Sequence, residues 1–131
     1  RFNLELNGFD DLNFIWMNVN KFGRNTGKVK PEQVVLDDEV HSYNLLAEEL
    51  EILQPDVCLF FTGPNYEEDI RLKISDREYH EFAGYSVRNV ARLRSKHLPK
   101  HSYRTYHPGY GNRISETYIG ILNAILQDCK R

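Results

Sequence analysis

Apolar residues fall along this chain in short blocks, and the spacing within each block says which element it forms. Residues 14–19, Phe-Ile-Trp-Met-Asn-Val, make an aromatic and β-branched run that predicts a buried strand. The polar, glycine-containing residues 20–30 that follow read as a loop. Asp37 or Asp38 can cap the next element, where Tyr43, Leu46, Ala47, Leu50 and Leu53 recur at helical spacing with Glu48, Glu49 and Glu51 mostly off that face. Gln54-Pro55 stops the helix, because proline cannot continue it. Residues 56–62 come next. Val57, Leu59 and Phe61 point to one side and Cys58 and Phe60 to the other, so both faces are apolar, as a central parallel strand covered by helices requires.

Gly63-Pro64-Asn65 turns the chain at the end of that strand. Residues 66–84 are mixed and carry little periodicity, and residues 87–93 read as either a short helix or an edge element. Residues 102–107 alternate polar and aromatic side chains and predict a shorter strand, closed by a turn at His107-Pro108-Gly109-Tyr110-Gly111. A last helix starts near Ile114, with Ile114, Tyr118, Ile121, Leu122 and Ile125 on one stripe. Strands alternating with helices predict a single α/β domain over residues 1–131, with three layers (α/β/α) and a short, mainly parallel sheet. Ligands of such sheets bind at the carboxyl ends of the strands. Three polar segments fall there: residues 18–21, 63–66 and 107–110.

A chain of 131 residues can bury a core without disulfides or metal. No run of about eighteen apolar residues occurs, so no membrane span is expected. The two cysteines, Cys58 and Cys129, cannot make a four-thiolate cluster; Cys58, in the most apolar run, reads as a buried free thiol, and the pattern suits the cytoplasm. The chain opens Arg1-Phe2-Asn3 without an initiator Met or signal peptide, so the numbering is expected to begin inside a longer protein.

Charge is unevenly spread. Residues 86–113 hold five Arg and two Lys and no acid, a local charge of +7 in a chain of net charge −2. Tyr85, Tyr103, Tyr106 and Tyr110 interleave with or flank this stretch, together with His97, His101 and His107. Basic charge attracts phosphates and aromatic rings stack on bases, so nucleic acid is one expected partner; a solvated basic face is the other reading.

Met17-Asn18-Val19-Asn20-Lys21 resembles the Thr-Asn-x-x-Lys segment of microbial uracil-DNA glycosylases. In that family a loop, a carboxylate-rich helix and an apolar strand ending in Gly follow; residues 23–30, 39–53 and 57–63 are similar in order and spacing. The family's closing His-Pro turn resembles His107-Pro108, before the last helix. The resemblance covers residues 14–126 and implies the C-terminal part of a uracil-DNA glycosylase-like domain, hydrolysing the N-glycosidic bond of uracil or a related damaged base flipped out of DNA. It implies that Asn18 reads the base, its carboxamide donating to uracil O4 and accepting from N3–H. It implies that His107 donates to uracil O2, where negative charge collects as the bond breaks. Gly63 would line the base pocket. Gly109 and Tyr110 would pinch the backbone and wedge the duplex, with Lys21, Arg104 and Arg113 as phosphate contacts.

The chain also departs from that pattern. The family's first motif, a Gly-rich turn whose polar or acidic residue positions the attacking water, has no counterpart in residues 1–13, so the chain by itself is expected to be inactive. The cysteines that hold an iron–sulfur cluster in some members are missing, and no cofactor is expected. Gly109 replaces the usual small polar residue after His-Pro. The chief alternative is a non-catalytic module of the same fold that binds nucleic acid or a partner. An unrelated hydrolase using His107 would need a nucleophile elbow, and no G-x-S-x-G is present.

Overall fold

The structure is a computed structural model that describes residues 15, 17–19, 44–107 and 116–131. Helix α1 spans Leu45–Leu53 and buries Leu46 and Leu50, one turn apart, while Glu48 and Glu51 face solvent. It ends as the sequence requires: Gln54 adopts a left-handed conformation (φ 45°), its N–H bonds to the Leu50 carbonyl at 3.0 Å, and Pro55 follows. Leu53, expected on the buried stripe, is exposed, as is its neighbour Ile52. The proposed caps Asp37 and Asp38, the loop of residues 20–30 and Tyr43 lie outside the described residues.

Strand β1 (Val57–Phe60) leads through Gly63 into a 3-10 turn (Pro64–Tyr66) that runs directly into helix α2 (Glu67–Lys73). Glu67, Glu68 and Asp69 occupy the first turn of α2 and Arg71 and Lys73 the last, the arrangement that opposes the helix dipole. Three strands complete the sheet or its edge: β2 (Glu78–His80), β3 (Val90–Arg94) and β4 (His101–Thr105). Helix α3 (Glu116–Cys129) closes the described chain and buries Tyr118, Ile121, Ile125 and Leu126; Ile114 lies outside the described residues.

The α/β class holds, but the sheet is mixed rather than mainly parallel. Its order is β1-β4-β3-β2; β1 pairs parallel with β4, from Val57 opposite His101 to Phe60 opposite Arg104. The β4–β3 and β3–β2 pairs are antiparallel. The reason lies in the connections. Residues 95–100 are too few for a crossover, which takes a dozen residues or more, so β4 must reverse the direction of β3. That turn is anchored by Asp76, which accepts hydrogen bonds from the Ser95 hydroxyl (2.6 Å) and the Lys96 amide (3.0 Å). Between β2 and β3 the chain reverses at Phe82-Ala83-Gly84-Tyr85, with Ala83 and Gly84 both at positive φ and the Tyr85 amide bonded to the Phe82 carbonyl.

Two further expectations change. Residues 56–62 form the edge of the described sheet, not its interior, and the central position beside them belongs to β4. Residues 87–93, read as a short helix or an edge element, contain most of β3, an interior strand. The described part of the expected first strand, Ile15 and residues 17–19, has no strand structure, and Ile15 is exposed. Phe14 and Trp16 lie outside the described residues.

Alternation along the strands builds a core on each face of the sheet. Phe60, Ala91 and Leu93 join Leu46 and Leu50 of α1 and Ile70 of α2, with Cys58, Tyr79, Met17 and Val19 packed around them. Val90 and Tyr103 point the other way and meet Ile121 and Ile125 of α3, with Phe82, Leu59 and Ala124. The two-sided apolar character of residues 57–61 therefore has its physical cause in helices packed on both faces. Among the described residues no helix is long and apolar enough to cross a membrane.

Candidate functional site

The parallel pair β1 and β4 puts the residues after each strand side by side at their carboxyl ends. Gly63 follows β1 at φ 62° and ψ −177°, a conformation that a side chain resists. Its N–H donates to the Thr105 carbonyl at 3.0 Å, which locks the Gly63 turn to the end of β4. A Cβ at this position would come within 3.3 Å of the Tyr106 ring, so glycine also admits that ring.

The segment that carries His107 is held on several sides. Arg104, in the middle of this anchorage, donates to the carbonyls of Val87 and Arg88. The Thr105 hydroxyl donates to the Asn89 carbonyl at 3.1 Å. The Tyr118 hydroxyl of α3 donates to the Tyr106 carbonyl at 3.2 Å, and burial pushes that phenol up to about 12. His107 emerges from this frame on the surface, next in sequence to the half-buried Tyr106. The structure thus brings Gly63 and the Tyr106-His107 pair together.

Asn18 is exposed, but not at a strand end. Met17 and Val19 pack on the α1–α2 core, and the buried Lys73 side chain donates to the Val19 carbonyl, which ties this segment to the end of α2. Among the described residues no hydrogen bond joins Asn18 to Gly63 or His107. Lys21, Gly109, Tyr110 and Arg113 lie outside the described residues.

Arg104, expected as a phosphate contact, does not offer its guanidinium to phosphate. Its side chain is fully buried, with Nη2 donating to Glu67 Oε1 at 2.6 Å and the guanidinium 5.8 Å from the centre of the Tyr79 ring. The polar residues of the 102–107 alternation look solvent-facing in isolation; in the fold, Ser102 and Arg104 point at the face covered by α1 and α2. Arg92 is also committed, to Asp128 at 2.6 Å. Among the described residues, the exposed cations of the basic stretch are Arg88, Arg94, Lys96 and Lys100. Of these, Arg88 lies beside the carboxyl end of β4, just ahead of Val90, which pairs with Thr105. Arg94, Lys96 and Lys100 lie at or beside the opposite end. The aromatic part changes too: Tyr103 is buried in the α3-side core, where it packs 5.0 Å from Phe82, and is not a free stacking surface.

Glu67 and Asp128, which hold Arg104 and Arg92, were not legible beforehand. They lie 37 and 36 residues from their partners, and no local spacing signals a pair that the fold alone assembles. Burial pushes the Cys58 thiol up to about 12, which leaves it protonated and a poor nucleophile. Among the described residues no group of His, Cys, Asp and Glu could hold a metal ion. Comparison with protein-family models, with curated proteins and with solved structures finds no match for this chain.

Proposed function

We propose that the protein is a uracil-DNA glycosylase-like enzyme, built as a three-layer α/β/α domain, that hydrolyses the N-glycosidic bond of uracil or a related base flipped out of DNA. The observation that carries this reading is the Gly63–Thr105 hydrogen bond, which sets Gly63 beside the segment bearing His107 at the carboxyl ends of two parallel strands. This is where a parallel pair accepts a ligand. In the reading, the bond between C1′ and N1 breaks, its electron pair passes to the pyrimidine, a water oxygen bonds to C1′, and the proton that this water loses ends on the released pyrimidine. His107 donates a hydrogen bond to uracil O2 and stabilises the charge that develops there. Asn18 reads the Watson–Crick edge, and Tyr110 and Gly109 engage the strand. Lys21 and Arg113 remain proposed phosphate contacts. Arg88 takes the place of Arg104, because it is exposed at the same end of the sheet.

The test is release of free uracil from an oligonucleotide carrying one uracil, measured with a protein that also carries the water-positioning motif and with its His107→Ala variant, while the chain by itself is expected to release none. The reading expects release, slowed by about two to three orders of magnitude in the variant, with DNA binding little changed. Salt-sensitive binding of the oligonucleotide without any bond cleavage would refute the enzyme and favour a non-catalytic binding module of the same fold. Loss of binding in a folded His107→Ala variant would assign the histidine to recognition instead.

A further inference from the structure

On the face that carries α3, a cleft of about 460 Å³ opens between β2, β3 and the C-terminal turns of the helix. Neither Gly63 nor His107 lines it. The volume lies within the range of small-molecule sites, about 300–1,000 Å³. Phe82, Ala83 and Ala124 supply its apolar lining. One wall is already fixed: Arg92 covers the Phe82 ring at 5.1 Å and is paired with Asp128, so its charge is spent. Other polar side chains of the cleft are not spent. Arg94, Gln127 and Arg131 are exposed, line the same space, and hold no side-chain hydrogen bond or ion pair among the described residues. Glu81 is the one unpaired carboxylate among the lining residues.

We propose that this cleft binds a phosphate monoester of mononucleotide size. The forks of Arg94 and Arg131 take the phosphate oxygens, and the Gln127 amide adds a donor. Two unspent guanidiniums match a group that can carry two negative charges and three acceptor oxygens; a carboxylate would satisfy one of them. Glu81 accepts from an amino or hydroxyl group on the body of the ligand, whose flat part rests on Ala83, Ala124 and the remaining open edge of Phe82. The site is independent of the glycosylase reading, since it shares no residue with it.

The test is a titration of the protein with adenosine 5′-monophosphate, adenosine and inorganic phosphate, followed by backbone amide shifts. The nucleotide is expected to move the amides of residues 80–83, 92–94 and 124–131, inorganic phosphate to move a subset more weakly, and adenosine to move none. Arg94→Ala, a change at an exposed side chain, is expected to weaken nucleotide binding about tenfold, the scale of one charge-assisted hydrogen bond. The proposal is overturned if the nucleotide leaves these amides unmoved, if adenosine moves them equally, or if Arg94→Ala binds as tightly as the parent. Shifts confined to residues 61–63 and 105–107 would also overturn it, and would place the ligand at the glycosylase-like site instead.

Discussion

The Tyr103 hydroxyl donates its hydrogen bond to the Asp128 carboxylate, joining the central strand β4 to the last turn of α3. Arg92 on the neighbouring strand reaches the same oxygen at 2.6 Å, and His101 Nδ1 lies 3.5 Å from it. Four side chains from three elements thus share one polar knot at the edge of the α3-side core. Burial pushes the Tyr103 phenol well above its ordinary range, and the bond to the carboxylate adds to the shift. Removing the hydroxyl with Tyr103→Phe leaves the ring packing intact and costs about 1.5–3 kcal/mol, the scale of a hydrogen bond to a charged group. Urea denaturation of the two proteins measures it.

Asp128 also makes the fold acid-sensitive. Burial by itself would raise its pKa, but the Tyr103 hydroxyl, Arg92 and His101 outweigh it and hold the carboxyl below its ordinary 3.8. A carboxyl whose pKa is depressed on folding stabilises the fold fully above the ordinary value, and loses that contribution as pH falls through the folded one. Stability measured between pH 6 and pH 2 is therefore expected to drop below about pH 4, with a shallower drop in Asp128→Asn. Asp76, lowered by the Ser95 hydroxyl and the Lys96 amide, keeps part of the slope in that variant.

Arg104 is expected to behave as a structural residue. Arg104→Met removes the charge that Glu67 faces and leaves the Val87 and Arg88 carbonyls without their donor. Breaking a buried pair on one side costs about 3–5 kcal/mol, and the partly exposed Glu67 brings the expected loss to the lower end. Chemical denaturation reads this loss, while the salt dependence of DNA binding should stay as in the parent. A reduced salt slope in the folded variant would return Arg104 to the phosphate contacts.

Gly63→Ala tests the hinge of the proposed site. The side chain meets a left-handed φ of 62° and a Tyr106 ring at 3.3 Å, a backbone penalty of about 1–3 kcal/mol before any repacking. Because the Gly63 amide is bonded to Thr105, the shift is transmitted to the residues that precede His107. The expected result is a destabilised protein and, under the proposed reading, uracil release by a protein that also carries the water-positioning motif falling more steeply than the folded fraction.

Elements whose own residues carry a strong signal were legible in the sequence. Leu46 and Leu50 at helical spacing mark α1, Gln54-Pro55 marks its end, the apolar residues 57–60 mark β1, and Tyr118, Ile121 and Ile125 mark α3. Gly63 and His107 could be placed beside strand ends for the same local reason. Tertiary structure alone decided how the strands pair. Hydrophobic pattern says which face of a strand is buried, but not which neighbour lies beside it; short links after β2 and β3 made two of the three pairings antiparallel and moved β1 to the edge of the described sheet. It also decided what each charge does. An arginine reads as solvated or phosphate-binding until its distant partner is known, and only the fold sets Glu67 against Arg104 and Asp128 against Arg92 while leaving Arg94 free. The cost of burying a charge is met by pairing across long sequence separations, and a linear pattern does not record such pairs.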